Sequence, residues 1–208
     1  MNLIERIYRA DDSRKSRFHT ASGVLCLNPI EIGYAGATTL GRLLLKSFVK
    51  RPWLVTKAWP RIEERATGAR IFEYGAGMST LWFSERAAEL VSVESNLQWA
   101  ARINAALAER GKPPIVLLED PEAYAGFINS CADPFDILLV DGIVRRKCVE
   151  QGIPHLKKGG LLVLDNTDVN KDLIPAALAA GPFEVTRYSG YAPGSLHPNE
   201  TSLLVKQF

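Results

Sequence analysis

Five acidic residues stand at the ends of short apolar runs: Glu73, Glu94, Asp120, Asp141 and Asp165. A carboxylate at a strand end can accept hydrogen bonds from ribose hydroxyls or an adenine amino group, or face a cation. Just past the first acid come Gly75-Ala76-Gly77, then Ser79 and Thr80. Glycine lacks a Cβ, so the chain can turn sharply there and a ligand can approach the backbone. A helix opening at Ser79 or Thr80 turns free N–H groups toward the same ligand. Glu94 closes the next apolar run, at the roughly twenty-residue spacing of an acid that holds a ribose. Strand, glycine turn, helix, strand, acid is how an α/β domain grips a nucleoside-bearing cofactor.

The elements that carry these residues follow from the pattern around them. Apolar runs at 71–73, 90–93, 115–118, 135–140 and 161–164 read as strands, separated by helical stretches at 79–88, 97–110 and 145–156 and a partly helical 121–131. The runs are continuous rather than alternating, as expected of parallel strands covered on both faces. Ligands bind at the carboxyl ends of such strands, so the five acids are expected to ring one crevice. Residues 183–188 and 202–206 read as two more strands without a helix between them, and these must pair antiparallel. Their loop returns over the crevice and brings Tyr191, His197 and Asn199 toward it. Upstream, Asn28-Pro29, Gly33 and Gly36 read as turns, 38–49 as a helix, and 52–66 as a helix broken near Pro60. Residues 1–20 read as a short helix or loose chain. Trp53 and Trp59 read as packing residues.

The chain has 208 residues and a net charge of +2. This is one domain with an appendage, and the balanced charge makes no electrostatic case for a nucleic acid or an anionic membrane partner. No apolar run reaches the roughly 18 residues of a membrane span, and the charged N-terminus has no signal-peptide core. Cys26, Cys131 and Cys148 form no metal or disulfide pattern, which suits a reducing cytoplasm. Apolar residues in 21–60 would serve a homodimer face as well as a lid.

With five acid-tipped strands and a terminal hairpin, residues 60–208 resemble the class I S-adenosylmethionine-dependent methyltransferases. The likeness rests on EYGAGMSTLW from Glu73, SVE ending at Glu94, DILLVDG from Asp136, and GGLLVLDN from Gly159. It is nearest to a bacterial subgroup with GxGxST, DGxxRxxC and DN(S/T)D segments, here GAGMST, DGIVRRKC and DNTD; Pro52-Trp53 before the first strand also fits. The resemblance implies a Rossmann-like, seven-stranded, mostly parallel sheet of order 3-2-1-4-5-7-6 with an antiparallel last strand. An N-terminal helical cap (1–60) would cover a cofactor-binding domain (61–208). It implies that Glu73, Gly75, Gly77 and Ser79 hold the methionine part, with Ala76 and Thr80 beside them. Glu94 and Ser95 would meet the ribose, Asp120 the adenine amino group, and Asp141 would sit under the sulfonium. Ser79 stands where many members carry a third glycine.

The activity implied is methyl transfer from S-adenosylmethionine to a small molecule, at oxygen. A hydroxyl acceptor must lose its proton, and two devices are open. Asp141, Asp165 and Asn166 resemble the ligand set of magnesium-dependent O-methyltransferases, in which a hard divalent ion lowers the hydroxyl pKa. Those enzymes have a lysine soon after the first aspartate, where this chain has Gly142 and, later, Arg145. The other device is His197 as general base. Arg145 would clamp a substrate anion or pair with Asp141. Two rival readings share the first half: an NAD(P)-dependent Rossmann oxidoreductase, which would want a third glycine and a catalytic domain, and a non-catalytic cofactor-binding scaffold.

Overall fold

In a computed structural model of the protein, residues 14–45 and 49–208 are described. The expected helical character near the N-terminus and the place of Phe48 lie outside them. Seven strands form one sheet: β1 (Arg70–Tyr74), β2 (Glu89–Glu94), β3 (Val116–Leu117), β4 (Phe135–Val140), β5 (Leu156–Asp165), β6 (Phe183–Gly190) and β7 (Asn199–Lys206). Their order is β3-β2-β1-β4-β5-β7-β6, as expected. β1 to β5 run parallel, and β7 lies antiparallel between β5 and β6.

The central strands β1, β4 and β5 read as continuous apolar runs because each faces two cores. Phe72, Tyr74, Leu138, Val140, Leu162 and Leu164 pack on one side of the sheet. Ile71, Ile137, Leu139, Leu161 and Val163 pack on the other. Alternate residues point to opposite faces, so two buried faces leave few polar positions. The register pairs Tyr74 with both Val93 and Val140, which levels the ends of β1, β2 and β4. Glu94 ends β2 and Asp141 follows β4, so this levelling brings them to one edge.

Seven α-helices are described: α1 (Pro29–Leu45), α2 (Trp59–Ala66), α3 (Met78–Phe83), α4 (Leu97–Ala108), α5 (Pro121–Gly126), α6 (Arg145–Gly152) and α7 (Leu173–Ala179). Five differ from the sequence reading; α2 starts at Trp59 rather than Pro52, and α3 stops at Phe83 rather than Ala88. α1 starts nine residues early, at Pro29 rather than Thr38, and contains Gly33 and Gly36 instead of turning at them. Asn28 Oδ1 accepts from the amides of Ile30 (3.0 Å) and Glu31 (3.4 Å), and Pro29 takes the first helical position. That cap offsets glycine costs of about 1 kcal/mol each. α6 stops at Gly152, short of Leu156, and a 3₁₀ turn containing Pro154 follows. Residues 157–160, which lie between the expected helix and strand, belong to β5, which starts at Leu156 and shifts register against β4 between Phe135 and Ile137. α7 was not foreseen at all.

The N-terminal part is tied across the same sheet edge. Buried Asp168 accepts from the Ala21 amide (2.8 Å), the Glu200 amide (3.3 Å) and Arg14 Nη2 (3.5 Å). α1 is joined to the β6–β7 loop where the Gly194 amide donates to Thr38 Oγ1 (2.9 Å). Its outer face leaves Ile30, Leu40 and Leu44 exposed. No helix among the described residues is long and apolar enough to cross a membrane.

Candidate active site

The glycine turn after β1 is built around Gly75. Its φ is +95°, and an added Cβ would lie 2.6 Å from the Gly142 amide nitrogen and 2.9 Å from the Asp141 carbonyl carbon. Only glycine lets the β1 and β4 loops meet this closely. Gly77 is different: a Cβ there would meet nothing nearer than 4.0 Å and would project into open space. Thr80 Oγ1 holds the Gly77 amide at 2.7 Å.

Above this turn lies a cavity of about 520 Å³, lined by Gly75, Ala76, Gly77, Ser79, Glu94, Ser95 and Asp141. Trp53, Trp99 and Ile143 complete its walls. Glu94 Oε1 is fixed by the amides of Ser95 (2.7 Å) and Asn96 (2.8 Å). Its other oxygen has no partner among the described residues and remains to accept from a ligand. Trp99 Nε1 donates to Ala76 O (2.7 Å) and stiffens the glycine turn.

Glu73 does not line the cavity. It is fully buried, accepting from Ser79 Oγ, from Thr80 Oγ1 (2.5 Å) and from Ser92 Oγ (2.7 Å). It therefore touches the cavity only indirectly, through Ser79 and, by way of Thr80, the Gly77 amide. Burial lifts its carboxyl to about 7 against these three donors. An acid whose pKa rises on folding stabilises the fold at low pH and loses that contribution as pH climbs from about 4.5 through about 7. Unfolding free energy should thus fall between pH 5 and pH 8, with about 2.5 kcal/mol of the fall due to Glu73. Urea titrations of Glu73→Gln at the two pH values should show the smaller fall; equal falls would refute the assignment.

Asp120 lies elsewhere. It is exposed, caps α5 by accepting from the Ala123 amide (2.8 Å), and lines no part of the cavity. The acids at the strand ends are thus split: Glu94 and Asp141 face the cavity, Glu73 supports it from beneath, and Asp120 serves its own helix.

A second groove of about 540 Å³ opens beside the first, under the β6–β7 loop. Asp141, Asp165, Asn166, His197 and Asn199 line it, with Arg42 from α1. Asp141 and Trp53 line both spaces and form their shared wall. Trp53, expected only to pack, thus stands where the two spaces join. Tyr191, expected near the crevice, is buried against Cys26 instead.

Arg145 lines neither space. It enters from α6, whose preceding residue Val144 has φ 39° and ψ 39°. A β-branched residue in this left-handed region is strained, at a cost of about 1–3 kcal/mol. The guanidinium spans the ends of β4 and β5. Nη2 donates to Asp141 Oδ1 (2.8 Å) and Asp141 O (2.9 Å). Nη1 donates to Asp165 O (2.6 Å) and Asn166 Oδ1 (3.1 Å), and Nε to Gly142 O (3.0 Å).

A divalent ion does not fit this arrangement. Asp141 Oδ1 and Asn166 Oδ1, two of the oxygens that would hold it, already accept from the Arg145 guanidinium. Asp165 accepts from Thr201 Oγ1 (2.6 Å), and burial, then the charge of Asp141, lifts its carboxyl to about 8. Among the described residues no cluster of three or more His, Cys, Asp or Glu side chains could hold a metal. A nucleoside cofactor does fit the first cavity. Its volume lies in the range of small-molecule sites, Gly77 leaves room for close approach, and Glu94 offers an acceptor. Beneath Gly142, the Tyr124 hydroxyl is buried with no hydrogen-bond partner among the described residues. An added Cβ on Gly142 would lie 1.9 Å from that oxygen, so glycine is required here too. No sequence signal singled out Tyr124 or Trp99.

No family model and no curated protein matches the chain. Solved structures do. An O-methyltransferase from Bacillus cereus in complex with SAH aligns with TM-score 0.59 at 14% identity, over 88% of this chain and 94% of the other. The Rossmann-like methyltransferase fold is thereby shown. An rRNA methylase from Streptococcus thermophilus shares this methyltransferase fold with TM-score 0.57 at 16% identity, over 77% of this chain and 100% of the other. A methyltransferase-like protein from Silicibacter pomeroyi shares it with TM-score 0.56 at 19% identity, over 77% and 91%. Within the methyltransferase fold, both the cavity and the groove open at the carboxyl edge of the parallel strands.

Proposed function

We propose that this protein is an S-adenosylmethionine-dependent methyltransferase that acts on a hydroxyl of a small molecule. One observation carries the reading: a cofactor-sized cavity and a separate groove share Asp141 as their wall. Two compartments meeting at one carboxylate suit in-line transfer between a bound donor and a bound acceptor. Glu94 takes the ribose hydroxyls, and Gly75, Ala76 and Gly77 let the rest of the donor lie against the backbone, with Ser79 and Ser95 beside it. The bound cofactor supplies an electrophilic methyl on a good leaving group. The protein aligns the acceptor, excludes water and takes a proton.

His197 lines the groove that also contains Asp141, and an imidazole there suits a general base. A small acceptor is favoured because residues 14–26 and α1 are tied over the sheet edge, where they would serve as a lid. A net charge of +2 over the chain supplies no basic track for a polynucleotide.

Calorimetry tests the cofactor first. S-adenosylhomocysteine should bind well below about millimolar and NADH should not; the reverse would select the oxidoreductase reading. With a labelled methyl donor and a panel of small phenols and hydroxy acids, His197→Ala should lose about 10²–10⁴-fold in kcat with product affinity unchanged. Label passing to rRNA and to none of the small acceptors would overturn the acceptor class.

A further inference from the structure

We propose that the Arg145 guanidinium is a resident cation occupying the place that a divalent metal would need, which makes this site metal-independent. The geometry is complete. Arginine has five N–H donors, and all five are used, on Asp141 Oδ1, Asp141 O, Asp165 O, Asn166 Oδ1 and Gly142 O. No donor is left to clamp a substrate anion, so that expected role is excluded for this arrangement.

The five acceptors are hard oxygens from the ends of two neighbouring strands, the type of donor that magnesium or manganese takes. A planar, permanently charged fork meets them instead. Two backbone features aim it: the left-handed Val144 turns the start of α6 toward the crevice, and the left-handed Asn166 (φ 56°) follows β5. Arg145 therefore acts as a positioning residue. It holds the Asp141 carboxylate at the wall between cavity and groove, and does so without an exchangeable ion.

The proposal predicts a gain of function in a variant. Removing the guanidinium leaves Asp141 Oδ1, Asn166 Oδ1, Asp165 O and Gly142 O around a vacated space at the crevice. Manganese titration followed by electron paramagnetic resonance reads this directly. Wild-type protein should bind no stoichiometric Mn²⁺ up to about millimolar. Arg145→Ala should bind one ion at least tenfold more tightly than wild type, and Arg145→Ala/Asn166→Ala should lose it. Arg145→Met, which keeps much of the side-chain bulk, serves if the alanine variant does not fold.

The effect on rate rests on the methyltransferase reading; ion binding does not, so the two can fail separately. Wild-type turnover should be unchanged by EDTA, and any Mg²⁺ or Mn²⁺ rescue should be confined to the Arg145 variants. A stoichiometric Mn²⁺ site in wild type that Asn166→Ala abolishes would overturn the proposal, as would folded Arg145 variants that bind no more Mn²⁺ than wild type.

Discussion

Asp141→Ala is expected to lower kcat/KM by about 10²–10³-fold, through lost alignment and lost electrostatic preorganisation between donor and acceptor. Asp141 is the side chain common to both compartments apart from Trp53, so no neighbouring carboxylate can substitute. Asp165 cannot, because it is engaged with Thr201 and held at the β5–β7 pairing. The fold should survive. Arg145 keeps its acceptors on Asp141 O, Gly142 O, Asp165 O and Asn166 Oδ1 when the carboxylate is removed. The pair is partly open to solvent, with side chains 17% and 30% exposed, which limits the cost of breaking it. A loss of about 1.5–3 kcal/mol is the range for a hydrogen bond to a charged group. Turnover with a labelled donor and urea denaturation measure the two quantities. A variant with wild-type turnover would remove Asp141 from the centre of the site.

The second large effect is structural. Gly75→Ala should cost about 3–5 kcal/mol, combining a left-handed backbone with overpacking. The Cβ would approach the backbone of Gly142 and Asp141 rather than a flexible side chain, so relief requires the β1 and β4 loops to separate. That separation opens the cavity floor, and S-adenosylhomocysteine affinity should fall with stability. Gly68→Ala is the control. Gly68 also has positive φ (+71°), but an added Cβ there meets nothing within 4 Å. It should lose only the backbone term, about 1–2 kcal/mol. Similar losses at the two positions, by denaturant midpoint, would show that close approach at Gly75 does not matter.

Much of the fold was readable because its signals are local. Paired apolar runs, the glycine turn and a terminal hairpin without a crossover helix leave few topologies. α1 was misplaced at its start because glycine is a turn residue by default, and the Asn28 cap with Pro29 outweighed it. β5 was read short because Gly159 and Gly160 read as a turn, although the strand carries them through a register shift.

The candidate site was legible only in outline. That acids would gather at strand ends follows from parallel-sheet topology, and Glu94 and Asp141 do face the cavity. Which acid faces inward is a matter of side-chain partners. Three hydroxyls from α3 and β2 draw Glu73 beneath the floor, and the Ala123 amide draws Asp120 away. Trp99 and Tyr124 come from distant stretches and have no motif to mark them, and Trp53 was marked only as a family feature beside Pro52, not as a wall of the site.

By itself, the sequence determined where the strands, the glycine turn and the acids at the strand ends lie, while the sheet order came from the family resemblance. Periodicity and glycine placement constrain the backbone over short range, and those features are backbone features. The tertiary structure decided how the ligand set at Asp141, Asp165 and Asn166 is used. A guanidinium four residues past Asp141 can point to solvent, to substrate or into the crevice. The left-handed turn at Val144 and the carbonyls ending β4 and β5 send it inward, and those acceptors come together only when the sheet is assembled.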